Sequence, residues 1–189
     1  MERTLLVAAV LAVAIAPAFA GEGRGIIVTG GVGAAIPTSQ FNDRLDPQVS
    51  VAGSISGPIT GVFGWRGEYS YDRFQTGSEL NCTSCRDQYI NHFAAGVQVT
   101  GKTQGGKVLP YGFFTAGGYN KRSYVSGVDN QTDFGLGFGG GVNYLVGQNW
   151  GIGGEVEANT FRLKDEERAA GQDRWLWYAA PRGQVFFRF

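Results

Sequence analysis

The chain has one histidine, two cysteines and no net charge, and each shortage removes a class of function. Lys+Arg and Asp+Glu stand at 16 each, so no charge excess points to nucleic acid or an acidic polymer as partner. Both cysteines fall in Cys82-Thr83-Ser84-Cys85, and two thiolates fall short of a closed zinc site. A redox C-x-x-C belongs beside a βαβ pattern, which this sequence does not have. The mixed-sign run Lys164-Asp165-Glu166-Glu167-Arg168 is a solvated loop rather than a ring of oxygen ligands for calcium. The expectation is no metal and no cofactor. Beyond the N-terminus no apolar run reaches the ~18 residues of a membrane helix, and helical periodicity is hard to find. No repeat, linker or second domain is visible.

What the sequence does have begins with an export signal. Met1-Glu2-Arg3 precedes an apolar run from Leu5 to Ala16, and Ala18-Phe19-Ala20 then supplies a small-x-small site. This is the pattern of a secretory signal peptide, with cleavage expected after Ala20. Residues 1–20 are the expected signal and residues 21–189 the mature domain. Export to an oxidising compartment favours a disulfide between Cys82 and Cys85, a small ring stiffening its loop. The composition is rich in glycine, with 31 residues, and in aromatics, at 13%. Glycine without a G-X-Y period suits curved strands and close backbone contacts.

Alternation of period two recurs through the mature chain. Phe63, Trp65, Gly67, Tyr69 and Tyr71 share one face, while Gly64, Arg66, Glu68, Ser70 and Asp72 share the other. The same reading predicts eight strands: Gly25–Ile36, Val49–Ser56, Gly61–Gln75, Tyr89–Lys102, Val108–Ser123, Phe134–Val146, Trp150–Leu163 and Trp175–Phe189. In the seventh, Phe161 and Leu163 interrupt the alternation, which suggests a bulge or an exit from the bilayer. The connections alternate in length. Short ones at 57–60, 103–107 and 147–149 separate long polar ones at 37–48, 76–88, 124–133 and 164–174. Short turns on one side and long loops on the other are the order of an up-and-down membrane barrel. The fold class expected is all-β: an eight-stranded antiparallel up-and-down transmembrane β-barrel.

Aromatic placement argues which face meets lipid. Phe63, Trp65, Tyr111, Tyr144, Trp150, Phe187 and Phe189 are expected near the short turns. Tyr69, Tyr71, Tyr89, Phe93, Tyr119, Phe134, Trp175 and Trp177 are expected near the long loops. Two such bands on one face are the girdles of a membrane barrel. The last strand ends Val185, Phe187 and Phe189 on the apolar face, with Arg188 between. It resembles the terminal-strand signature that the outer-membrane assembly machinery recognises. With strand count and loop order, the whole mature chain resembles the small barrels of the OmpA, OmpX and opacity-protein group. That resemblance implies an outer-membrane location, with lipid and the assembly machinery as partners, but no particular activity.

Two constellations on the polar face could carry chemistry. Arg66, Glu68, Glu155, Glu157 and Arg182 are expected in the lumen, with Glu155 nearly opposite Arg182. A lumen of eight strands is only wide enough for side chains, so these charges must pair. Ser70, Asp72 and His92 are candidates for a nucleophile, an orienting acid and a base, and also for a plain polar cluster near the barrel mouth. The reading is a monomeric structural or surface-interaction barrel, displaying four extracellular loops to an outside ligand or host surface. A narrow ion or water channel and a lipid-modifying enzyme are the alternatives.

Overall fold

The computed structural model describes residues 25–38, 45–76, 87–101, 106–123, 131–162 and 175–189. They form eight strands: β1 (Ile27–Thr38), β2 (Leu45–Thr60), β3 (Phe63–Thr76), β4 (Gln88–Thr100), β5 (Val108–Ser123), β6 (Gln131–Leu145), β7 (Trp150–Arg162) and β8 (Trp175–Arg188). Each pairs antiparallel with its neighbours in sequence, and β8 pairs with β1, so the sheet closes. Closure matters because lipid offers no partner to an open strand edge. Residues 1–24, which include the expected signal peptide, lie outside the described residues, as do Cys82, Cys85 and the mixed-sign run at 164–168.

The register gives the barrel its tilt. Following partners from Ile27 leads to Ser56, Arg66, Gly96, Thr115, Gly137, Asn159 and Tyr178, and returns to Pro37, ten residues along β1. A stagger of this kind tilts the strands and sets the width of the interior.

The strands depart from the sequence reading at several points: β2 begins at Leu45 rather than Val49, and β6 at Gln131 rather than Phe134. β2 runs through Gly57-Pro58-Ile59-Thr60 rather than ending before it, so the first short turn is Gly61-Val62. Gly61 has φ of +53°, a left-handed conformation that only glycine adopts freely. β2 tolerates Pro47 and Pro58 because register shifts fall beside both, where a missing N–H disturbs no regular ladder. In β7 there is no bulge at Phe161. Its register with β6 and β8 is unbroken, and Phe161 stays in phase with Glu155, Glu157 and Asn159, pointing inward.

The outer face is apolar at mid-height, with Val97, Phe114, Phe138, Val142 and Val156 all exposed. Aromatic bands flank it. Phe63, Trp65, Tyr144, Trp150, Phe187 and Phe189 lie exposed toward the short turns, and Phe93, Phe134, Trp175 and Trp177 toward the other end. Tyr111 and Tyr119 are corrections: both point inward and are buried. Val185, Phe187 and Phe189 are exposed, and the Phe189 N–H donates to Ile26 O at 2.9 Å, extending the β8–β1 closure.

Candidate functional site

Glycine makes room for the contents of the lumen. Between Asp133 and Asn143, four successive inward positions of β6 are Gly135, Gly137, Gly139 and Gly141. A Cβ on Gly137 would stand 2.6 Å from Thr115 Oγ1 and 2.8 Å from Glu157 Oε1. Over this stretch β6 leaves its share of the lumen to side chains from the flanking strands β5 and β7.

That space holds a layer of buried charge. The Arg66 guanidinium donates from Nε to Glu68 Oε2 at 2.7 Å and from Nη2 to Glu155 Oε2 at 2.9 Å. It also lies 3.9 Å from the centre of the Phe113 ring, a cation–π contact in a site with little water. Glu155 lies opposite Arg182 in the register, and the Arg182 Nη1 donates to Glu157 Oε2 at 2.6 Å and Glu155 Oε1 at 3.3 Å. Arg182 Nε donates to Ser50 Oγ at 2.8 Å. Tyr111 donates to Glu155 Oε2 at 2.8 Å, while Gln184 donates to Tyr111 and to Asn143. The five charges expected in the lumen thus form one connected network. An ionised side chain at this depth is tolerated only with such partners.

Ser70, Asp72 and His92 also meet. They lie deep in the barrel and buried rather than near its mouth, where the sequence reading put them. Ser70 Oγ is 2.6 Å from Asp72 Oδ2 and 2.8 Å from His92 Nδ1. A hydroxyl has one proton, and a carboxylate can only accept, so Ser70 donates to Asp72 and His92 Nδ1–H donates to Ser70. A nucleophilic serine needs the reverse, its proton aimed at an imidazole lone pair. Asp72 is further held by Ser50 Oγ at 2.6 Å and the Tyr178 hydroxyl at 2.8 Å. Here the three residues make one hydrogen-bonded cluster with Ser50 and Tyr178.

Above the charges, toward the longer connections, the lumen turns apolar. Leu45, Phe74, Ile90, Tyr119, Phe161 and Leu176 are buried there as a cap. Phe74 meets Tyr178 edge-on at 5.4 Å, and Tyr119 stacks on His92 at 4.7 Å between ring centres. The other end is open, with a cavity of about 260 Å³ lined in part by Ile27, Ser56, Phe63, Gln98 and Arg188.

Sequence reasoning missed the supporting residues Ser50, Tyr111, Phe113, Thr115, Tyr119 and Tyr178. All are inward-facing, and each has at least one partner on a non-adjacent strand. No local pattern marks them.

The comparisons agree with this architecture. Residues 5–175 match the model of a family described as an outer membrane protein beta-barrel domain. Among curated proteins, no relative matches the chain. Among solved structures, Neisserial surface protein A shares 18% identity over 89% of this chain and all of its own, with a TM-score of 0.64. The N-terminal barrel of OprF from Pseudomonas aeruginosa gives 15% identity over 89% of this chain and all of its own, with a TM-score of 0.57. OprG from the same organism gives 11% identity over 87% of this chain and 96% of its own, with a TM-score of 0.57. At these identities the structures speak for the fold alone. A closed barrel of eight strands, apolar outside and charged within, matched by that family model over most of its length, belongs to the outer-membrane protein β-barrel family and resides in the outer membrane.

Proposed function

We propose that this barrel is a structural and surface-interaction protein of the outer membrane, working through the four longer connections at one end. The observation that carries the reading is the closed lumen. Among the described residues, a layer of paired charge sits beneath an apolar cap, and the two fill the lumen in series. Activity then falls to the connections around residues 39–44, 77–87, 124–130 and 163–174. In this reading a signal peptide is removed after Ala20, and Val185, Phe187 and Phe189 engage the barrel-assembly machinery. The mature barrel is a monomer in lipid. Its outward partner is an extracellular or host-surface ligand.

Reconstitution in planar bilayers tests this directly, together with ligand binding by cells that display the protein. The expected result is no steady conductance, and surface binding that disappears when the segment 163–174 is replaced by a short turn. Conductance that changes in Arg182→Ala would establish a channel instead. Lipid turnover that vanishes in His92→Ala would establish an enzyme.

A further inference from the structure

The lumen network is short of positive charge at one place. Glu68, Asp72, Glu155 and Glu157 are buried against two guanidiniums, Arg66 and Arg182. Asp72 is satisfied by Ser50, Ser70 and Tyr178, and Glu155 by both arginines and Tyr111. Glu68 and Glu157 differ. Each gives Oε2 to an arginine and turns Oε1 toward His92. His92 Nε2 has no hydrogen-bond partner, nor has Glu157 Oε1, and both residues are 0% exposed. The proton on Nδ1, fixed by the Ser70–Asp72 relay, leaves Nε2 facing two carboxylate oxygens.

With Nε2 unprotonated, three buried acceptors point at one another and repel unless a proton or a metal cation stands among them. The spacing says which kind. Nε2 is 3.5 Å from Glu68 Oε1 and 3.8 Å from Glu157 Oε1, while an N–H···O bond closes to about 2.7–3.2 Å. Ligands at about 2.0–2.2 Å around a tetrahedral zinc ion lie about 3.3–3.5 Å apart, and one of the two separations falls there with the other slightly wider. The donor atoms of all three residues lie within 4.8 Å of one another.

We propose that Glu68, His92 and Glu157 bind a divalent first-row transition ion, such as zinc(II), inside the barrel. Two monodentate carboxylates and one imidazole suit such an ion, and its charge balances the two carboxylates that the arginines leave in excess. The outer partners are those of a built metal site. Arg66 and Thr115 orient Glu68, Arg182 orients Glu157, and Ser70 fixes the imidazole tautomer. The ion enters from the open cavity or is taken up as the barrel closes.

The test uses the full mature barrel carrying Cys82→Ser and Cys85→Ser, so that thiolates cannot contribute. It is stripped with chelator, then loaded with zinc(II) or cobalt(II) both after folding and during refolding into detergent. The expected result is one ion per folded barrel, with a cobalt spectrum of low-symmetry nitrogen and oxygen ligation. Glu157→Gln keeps the shape of the site and should lower affinity about 100-fold or more. Ser70→Ala should lower it about 10-fold, as loss of an outer partner does. His92→Phe removes the imidazole ligand and should abolish the cobalt spectrum. No stoichiometric ion by either loading route would overturn the proposal, and so would equal affinity in the parent barrel and Glu157→Gln. So would nitrogen-15 NMR of the zinc-treated barrel showing a proton on His92 Nε2.

Discussion

Arg182→Met offers the sharpest test of the lumen network. Methionine fills much of the arginine's volume and removes every hydrogen bond that the guanidinium makes. The losses are unequal. Glu155 keeps Arg66 and Tyr111, and Asp72 keeps Ser50, Ser70 and Tyr178. Glu157 keeps no hydrogen bond: its Oε2 loses the 2.6 Å bond to Arg182, and its Oε1 has only the His92 ring nitrogen 3.8 Å away. Stranding one member of a buried ion pair costs about 3–5 kcal/mol, whereas losing an exposed pair costs about 0–1 kcal/mol. Adding Glu157→Gln removes the stranded charge, so the double variant should be more stable than Arg182→Met alone. The coupling between the two sites should reach about 0.5–3 kcal/mol. Equilibrium urea unfolding in detergent measures all four corners of the cycle, in metal-free protein. A single-variant loss under about 1 kcal/mol, or strict additivity, would refute a dry, mutually dependent network.

Three further outcomes follow from the same geometry. The purified barrel should migrate faster on a gel when unheated than when boiled, and equal mobility would count against a closed sheet that resists detergent. Phe114→Arg places a charge at mid-height on the outer face, and should cost about 2–4 kcal/mol in lipid refolding equilibria if that face meets the bilayer core. Gly137→Ala brings a Cβ to 2.8 Å from Glu157 Oε1, so it should destabilise by about 1–3 kcal/mol in the same urea assay.

The legibility of the fold varied from strand to strand for physical reasons. β3 sets Arg66, Glu68 and Asp72 on one face against Phe63, Trp65, Tyr69 and Tyr71 on the other, so its inward side could be read directly. β5 defeats that reading because both faces are apolar. Tyr111, Phe113 and Tyr119 look like girdle residues, yet they point inward, Phe113 beneath Arg66 and Tyr119 against His92. Phe161 misleads for the related reason that a membrane barrel's interior need not be polar along its whole length. Above the charges it is an apolar cap. The charged members of the lumen were legible one by one, since a lumen-facing acid has few alternatives. Their partners were not, because Glu68, His92 and Glu157 come from three strands and converge only when the stagger of the closed sheet is known.

The cap and the charge layer stand in series along one narrow lumen, and that order makes a prediction about conduction. Phe74 is fully buried in the cap, edge-on to Tyr178. Phe74→Ala should destabilise the barrel by about 3–5 kcal/mol, the usual result of emptying an aromatic site that cannot collapse. It should nevertheless leave the bilayer conductance at zero. Beneath the hole, Tyr178, Asp72 and Arg182 still fill the next layer down. Combining Phe74→Ala with Arg182→Ala removes both obstacles and is the variant in which ions should first pass. A steady conductance from Phe74→Ala alone would mean that the charge layer is not a seal. The channel reading would then displace the surface-interaction one.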